Sequence, residues 1–173
     1  GNGSYTTDEL IVDIWDNNQL DGLQKIADEW SEKSGVKVRI NVINWDTYWT
    51  LLSSGASGGE MPDVFWMHIN EAQKYMSNNM LLNLDSYIEA DEKIDLNNYY
   101  EGIVDIYRYE DSQYALPKDH DTIALLYNKA IFDKYNVEYP TNDWDWDDYA
   151  AAAKAITEAG AADSVYGTAM NTN

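Results

Sequence analysis

The sequence predicts an α/β protein built on a doubly wound, parallel-rich sheet. Short apolar or alternating runs near residues 10–15, 36–42 and 63–67 read as strands. Stretches of helical spacing near 20–35 and 46–55 separate them. The resulting order, strand, helix, strand, helix, strand, joins neighbours by crossovers, which parallel strands require and hairpins cannot supply.

Each element has its own local reason. In "ELIVDIWDNN" the apolar run Leu10 to Trp15 breaks into the polar turn Asp16-Asn17-Asn18, as a buried strand should. Leu20, Leu23, Ile26, Ala27 and Trp30 then recur at helical spacing, and Gly35 stands where a left-handed C-terminal cap belongs. "VKVRINVI" alternates with period two, so Val36, Val38, Ile40 and Val42 share one face. A second helix is expected from Asp46 to Gly55, followed by the loop "SGGEMP". "DVFWM", Asp63 to Met67, is short and apolar, like a strand covered on both faces.

Helical patterns follow at Glu71–Ser77 and from Leu96 to about Tyr109. Pro117 restricts Leu116 to extended backbone, and the apolar "TIALLY" after it reads as a strand. Asn128 to Tyr135 reads as a helix. In "PTNDWDWDDYAAAAKAITEAG" Asp145 is the expected N-cap, and Asp148, three residues on, completes a capping-box pattern. "SVYGTAM" reads as one more strand.

In doubly wound sheets the ligand crevice lies outside the carboxyl ends of the strands. Three polar stretches fall there: Asp16-Asn17-Asn18, Asn44-Trp45-Asp46 and His68-Ile69-Asn70. A single polar loop says little, because loops are polar anyway. Three in register at one sheet edge point to a site.

Composition limits what that site can take. The 173 residues include 31 acids against 11 lysines and arginines, a formal net charge of −20. Nucleic acids and anionic membranes need a basic footprint, so both are excluded as partners. There are no cysteines, which removes disulfides, thiolate zinc sites and cysteine nucleophiles together. No apolar run approaches the ~20 residues that span a bilayer. The polar lead "GNGSYTTDEL" lacks the charged-then-apolar pattern of a signal peptide.

The chemical motifs mostly fail. Asp143, Asp145 and Asp147 alternate like the first ligands of a calcium loop, but the glycine and glutamate positions hold Asp148 and Lys154. His68 and His120 are the only imidazoles and have no paired-ligand spacing, so neither a metal nor another cofactor is expected. No nucleophile elbow, P-loop or dinucleotide fingerprint is present. Acid pairs suitable for glycoside hydrolysis are unavoidable among 31 acids and carry little weight.

The aromatic content says more: 7 Trp, 14 Tyr and 2 Phe. Flat apolar faces beside carboxylates and amides suit a polyhydroxylated ligand, whose C–H faces stack while its hydroxyls meet fixed acceptors. Trp45, just past a strand, is the candidate stacking residue.

Two long stretches resemble a known family. "WDTYWTLLSSGASGGEMPDVFWMHINEAQKYMSNNMLLNLDSYI" and "YALPKDHDTIALLYNKAIFDKY…YPTNDWDWDDYAAAAKAI" are similar to the extracellular solute-binding proteins of bacterial carbohydrate ABC transporters, the class of maltose-binding protein. The resemblance runs from about Glu9 onward and rests on "MPDVFWM", "LP.D.DT..L.YNK" and the late "W-D/E" helix start together. It implies a type II periplasmic-binding-protein-like fold: two α/β lobes, a hinge, and a sugar held in the cleft between them. Residues 1–117 would form the N-terminal lobe, and 118–173 the hinge crossing and the start of a second lobe. Family members are far longer, so a truncated chain is expected.

By position, the resemblance puts Pro117-Lys118-Asp119 at the first hinge crossing. Asp121 would accept hydrogen bonds from sugar hydroxyls at the edge of the second lobe. Asn70, with His68 adjoining, matches a polar sugar contact. Asp16, Asn17, Trp45 and Asp46 fall on cleft loops, and Asn171 and Asn173 would approach from the second lobe. The implied partners are a carbohydrate and the permease subunits of an ABC transporter. The implied location is extracellular, with membrane attachment only through an upstream lipid anchor.

Two other readings remain. Asp119 and Asp121, alternate residues that share a face in a strand, could serve a carbohydrate hydrolase. A receptor for a peptide or an anion is opposed by the acidity and by the scarcity of arginine, which occurs only as Arg39 and Arg108.

Overall fold

The computed structural model describes residues 7–169. Asn171 and Asn173, expected near the site, lie outside the described residues. The chain divides into two compact units, one ending at His120 and the other beginning at Asp121.

The first unit is built on a three-stranded parallel sheet in the order β2-β1-β3. Its strands are β1 (Glu9–Ile14), β2 (Lys37–Val42) and β3 (Val64–Phe65). β1 pairs along its whole length with β2, from Glu9 opposite Lys37 to Ile14 opposite Val42. α1 (Leu20–Ser34) leads from β1 out to β2, and α2 (Trp45–Gly58) leads back past β1 to β3. The winding therefore reverses at β1, the topological switch point at which such sheets bind ligands.

Local chemistry sets the ends of these elements. α1 stops at Gly35, whose φ of 78° suits a residue without a Cβ and whose N–H closes on the Ser31 carbonyl at 2.9 Å. α2 begins one residue earlier than the periodicity predicts, because the Asn44 side chain accepts from the Thr47 N–H and caps it. It also runs past Gly55 to Gly58. Gly55 serves a close approach: a Cβ there would meet the Glu60 carbonyl at 2.6 Å.

β3 is shorter than the expected Asp63–Met67. Before it, the Asp63 carboxylate accepts from the Ile11 N–H at 2.8 Å, and after it the Trp66 carbonyl is taken by a side chain of α2. Side chains thus take up one backbone group at each of its ends, while the Trp66 N–H still donates to the Asp13 carbonyl of β1 at 3.1 Å.

The core packs Ile14, Tyr48, Leu52, Trp66 and Tyr75 together, with Leu20, Leu23 and Ile40 against them. Tyr75 comes from α3 (Ile69–Ser77), which starts two residues before the expected helix, with His68 as its cap.

The helix expected from Leu96 to about Tyr109 does not form. Two 3-10 turns, Leu96–Asn98 and Val104–Tyr107, stand there instead, with Gly102 at a φ of 81° between them. A left-handed glycine interrupts a right-handed helix. A short hairpin follows, β4 (Arg108–Tyr109) with β5 (Ser112–Gln113), turning through Glu110 and Asp111 at positive φ. Gln113 is buried, and its amide donates to the carbonyls of Val104 at 3.0 Å and Ala115 at 2.7 Å. Its backbone N–H donates to Asp85, on the short helix α4 (Asp85–Ala90).

The second unit packs α5 (Lys129–Lys134) and α6 (Trp146–Ala159) around Phe132, Ala152 and Ile156. α6 carries the expected capping box: Asp145 accepts from the Asp147 and Asp148 N–H groups, and Asp148 accepts in return from the Asp145 N–H. The two expected strands of this region, "TIALLY" and "SVYGTAM", are absent among its described residues. A strand exists only with a ladder partner. Residues 121–128 join none, and Ile123 and Leu126 are almost wholly exposed.

Candidate functional site

The sheet brings its three carboxyl ends together, and each contributes an aromatic side chain. Trp15 directly follows β1, Trp45 opens α2 just after β2, and Trp66 and His68 follow β3. Trp15 sits at the centre. Its ring centroid lies 5.2 Å from Trp45, 5.1 Å from Trp66 and 6.4 Å from His68, in edge-to-face arrangements. Trp45 and His68 meet at 5.2 Å. Tyr48 and Trp49, one turn along α2, pack against Trp15 at 5.2 and 5.8 Å. These separations fall in the range favoured by aromatic quadrupoles.

The cluster is graded in exposure. Tyr48 is buried, and Trp66 is 9% exposed, whereas Trp45 is 43% exposed. Burial, with the Asp13 charge second, drives the Tyr48 phenol far above its ordinary pKa, so it is a permanent neutral donor inside the unit.

His68 caps α3 by accepting from the Asn70 N–H at Nδ1, at 3.3 Å. That acceptor role leaves the proton on Nε2.

Lys118 adds a cation. Its Nζ lies 3.8 Å from the Trp66 ring centroid and 6.0 Å from that of Trp15, and it pairs with the Asp119 carboxylate. The Tyr107 phenol is pushed up by burial and then by the Asp119 charge, and its hydroxyl donates to the Met67 carbonyl at 3.2 Å.

The residues singled out in the sequence fare unequally. Trp45 and His68 meet in the cluster, with Asn70 beside His68 at the start of α3. Asp46 is exposed in the first turn of α2. Asp16 is occupied locally, accepting from the Asn18 N–H at 2.9 Å and the Gln19 side chain at 3.3 Å, while Asn17 is exposed beside it. Asp119 pairs with Lys118 in the first unit, and Asp121 opens the second as an exposed residue. His120 packs its ring on Tyr100 at 4.7 Å.

Sequence reasoning missed Trp15, Trp49 and Trp66, and it missed the contact that Lys118 makes. Trp15 and Trp66 were legible only as strand residues, and their position at the carboxyl ends was the signal available. Trp49 lies four residues after Trp45, one helical turn away.

An exposed indole, an imidazole N–H, amides and carboxylates surround one sheet edge. Among the described residues, no three His, Asp or Glu side chains converge as a metal ligand set would. A separate open depression of about 640 Å³ between α2 and α3 is lined by Trp49, Ser53, Glu71 and Lys74, and shares only Trp49 with the cluster.

Comparison with known proteins gives the family. The family described as bacterial extracellular solute-binding protein matches residues 16–173. The chain belongs to that family. An uncharacterized ABC transporter extracellular-binding protein of Pyrococcus horikoshii is 31% identical over 112 residues, which is 64% of this chain and 24% of that protein. An ABC substrate-binding protein of Listeria monocytogenes, solved in complex with cycloalternan, superposes with a TM-score of 0.68 at 30% identity. It matches 87% of this chain and 39% of its own. An ABC transporter associated binding protein of B. animalis subsp. lactis, solved with β-1,6-galactobiose, is also 30% identical, with a TM-score of 0.60 over 90% of this chain and 36% of its own. The chain thus spans well under half the length of these relatives. Among the described residues no helix is long and apolar enough to cross a membrane.

Proposed function

We propose that this chain is part of the substrate-binding component of an ABC importer. It holds a sugar or oligosaccharide in a cleft between two lobes and delivers it to the permease subunits. The observation that carries this reading is the meeting of Trp15, Trp45 and His68 from three parallel strand ends. A half-exposed indole offers a face to sugar C–H groups, and the surrounding amides and acids suit hydroxyls. The two relatives solved with carbohydrates at 30% identity support the same class of ligand.

In this reading Trp45 stacks on the sugar. Asp16, Asn17, Asp46, His68 and Asn70 line the first lobe's side, Asp119 stands at the hinge, and Asp121 lines the second's. The first lobe is residues 1–117, and residues 118–173 are the hinge crossing, at Pro117-Lys118-Asp119, and the beginning of the second lobe. The protein is a receptor without catalytic activity, exported and held at the cell surface by a lipid anchor. Lobe closure is what the permease detects.

Calorimetric titration of the protein against mono- and oligosaccharides tests the reading. Saturable binding that is weakened in both Trp45→Ala and Asp121→Ala is the expected result. Stabilisation by a peptide or another non-sugar solute alone would overturn the carbohydrate assignment. Turnover of a chromogenic glycoside that disappears in Asp121→Asn would favour the hydrolase instead.

A further inference from the structure

Lys118 makes a contact that the proposed function does not use. Its ammonium lies 3.8 Å from the centroid of Trp66, a ring only 9% exposed, and 6.0 Å from that of Trp15. Asp119 next to it is the counter-charge. A cation over an indole face within about 6 Å is held by the ring quadrupole, and more firmly where water is excluded. The place in the chain matters as well. The first compact unit ends at His120 and the second begins at Asp121. Lys118 therefore fastens the last residues before the junction onto the aromatic cluster.

We infer that Lys118 is a displaceable latch. It covers the Trp66 face and is released when the apolar face of a sugar ring takes its place. This rests on the carbohydrate reading of the cluster. Both occupants use the same property of the ring, because an ammonium and the polarised C–H groups of a sugar are each drawn to the negative π face. Only one of them can lie against that face. A ligand shifts such an equilibrium by the difference in its affinity for the two states. Here that difference is the choice between a covered and an open indole. Release frees the backbone that leads into the second unit, so occupation of the cluster is coupled to the freedom of the connection.

The test follows Lys118 directly. Reductive dimethylation with a carbon-13 label keeps the lysine charge and gives each lysine an NMR signal; that of Lys118 is identified by its loss in Lys118→Ala. In the free protein the signal is displaced by the Trp66 ring current. Titration uses a panel of mono- and oligosaccharides that includes cycloalternan and β-1,6-galactobiose. At saturation the signal is expected to return to the position of an ordinary lysine. Lys118→Ala is expected to bind the same sugar about tenfold more tightly, the scale on which cation–π contacts convert to affinity. A signal that stays displaced at saturation overturns the latch alone, as does equal or weaker binding by Lys118→Ala. If neither protein binds any sugar in the panel, the carbohydrate reading falls, and the displacement with it.

Discussion

The Tyr48 hydroxyl lies 2.8 Å from the carbonyl oxygen of Trp66, which ties the first turns of α2 to the end of β3. The same hydroxyl is 3.1 Å from the Asp13 carbonyl in β1. A single phenol thus fixes the spacing of two strand ends that carry Trp15 and Trp66. The cluster inherits its geometry from a buried hydrogen bond beneath it.

Tyr48→Phe keeps the ring and removes that donor. The Asp13 carbonyl retains the Trp66 N–H at 3.1 Å, so the main cost is an unsatisfied Trp66 carbonyl. The expected loss is about 1–2 kcal/mol, read as a lower urea midpoint with an unchanged slope. Ligand affinity is expected to fall as well, because Trp66 and Trp15 lose their fixed separation.

Trp45→Ala compares the residue's part in binding with its part in stability. The residue is half-exposed at the first position of α2, and alanine is a good helix former there. The melting temperature is expected to fall modestly, because the edge-to-face contacts with Trp15, Trp49 and His68 are lost. Sugar affinity is expected to fall by roughly 3- to 10-fold, the scale of an aromatic contact. Calorimetry beside a thermal melt checks both.

Asp85 predicts a pH dependence. The Gln113 N–H at 2.9 Å holds its carboxyl below the usual carboxylate range, helped by the Ser112 hydroxyl. Its folded pKa lies below its unfolded one. The stabilisation is therefore complete above the ordinary carboxylate pKa and is lost as pH falls through the lowered value. Asp85→Ala is expected to be less stable than the parent protein at neutral pH, and the gap is expected to narrow in acid. Urea melts of both proteins across that range measure it.

Asp145→Ala probes the second unit by itself. It removes the acceptor for the Asp147 and Asp148 N–H groups at the start of α6. Loss of such a cap costs about 1 kcal/mol. Hydrogen exchange is expected to quicken along α6, with the amides of β1 and β2 unaffected.

Much of the secondary structure was legible in the sequence because its signals are local. Gly35 and Asp145 sit where cap chemistry demands them, and the alternation of β2 and the periodicity of α1 are set by residues a few positions apart. The resemblance to solute-binding proteins was legible for the same reason, since it rests on contiguous stretches. The failures came where distant partners decide. "TIALLY" has the composition of a strand, yet among the described residues it has no ladder to join. The apolar spacing from Leu96 to Tyr109 resembles a helix, yet Gly102 and the buried Gln113 amide favour turns and a hairpin.

The site divides along the same line. By itself the sequence determined that the loops after three strands would be polar and that Trp45 would open one of them. Those properties belong to residue types and to their order. Only the tertiary structure decided that Trp15 would be the hub of the aromatic cluster, that Asp16 would spend its carboxylate on a local turn, and that Lys118 would lie on Trp66. Lys118 and Trp66 are far apart in the chain, and no local propensity encodes their meeting. The parallel sheet and the buried Tyr48 hydrogen bond hold Trp66 where the returning chain carries Lys118 across its face.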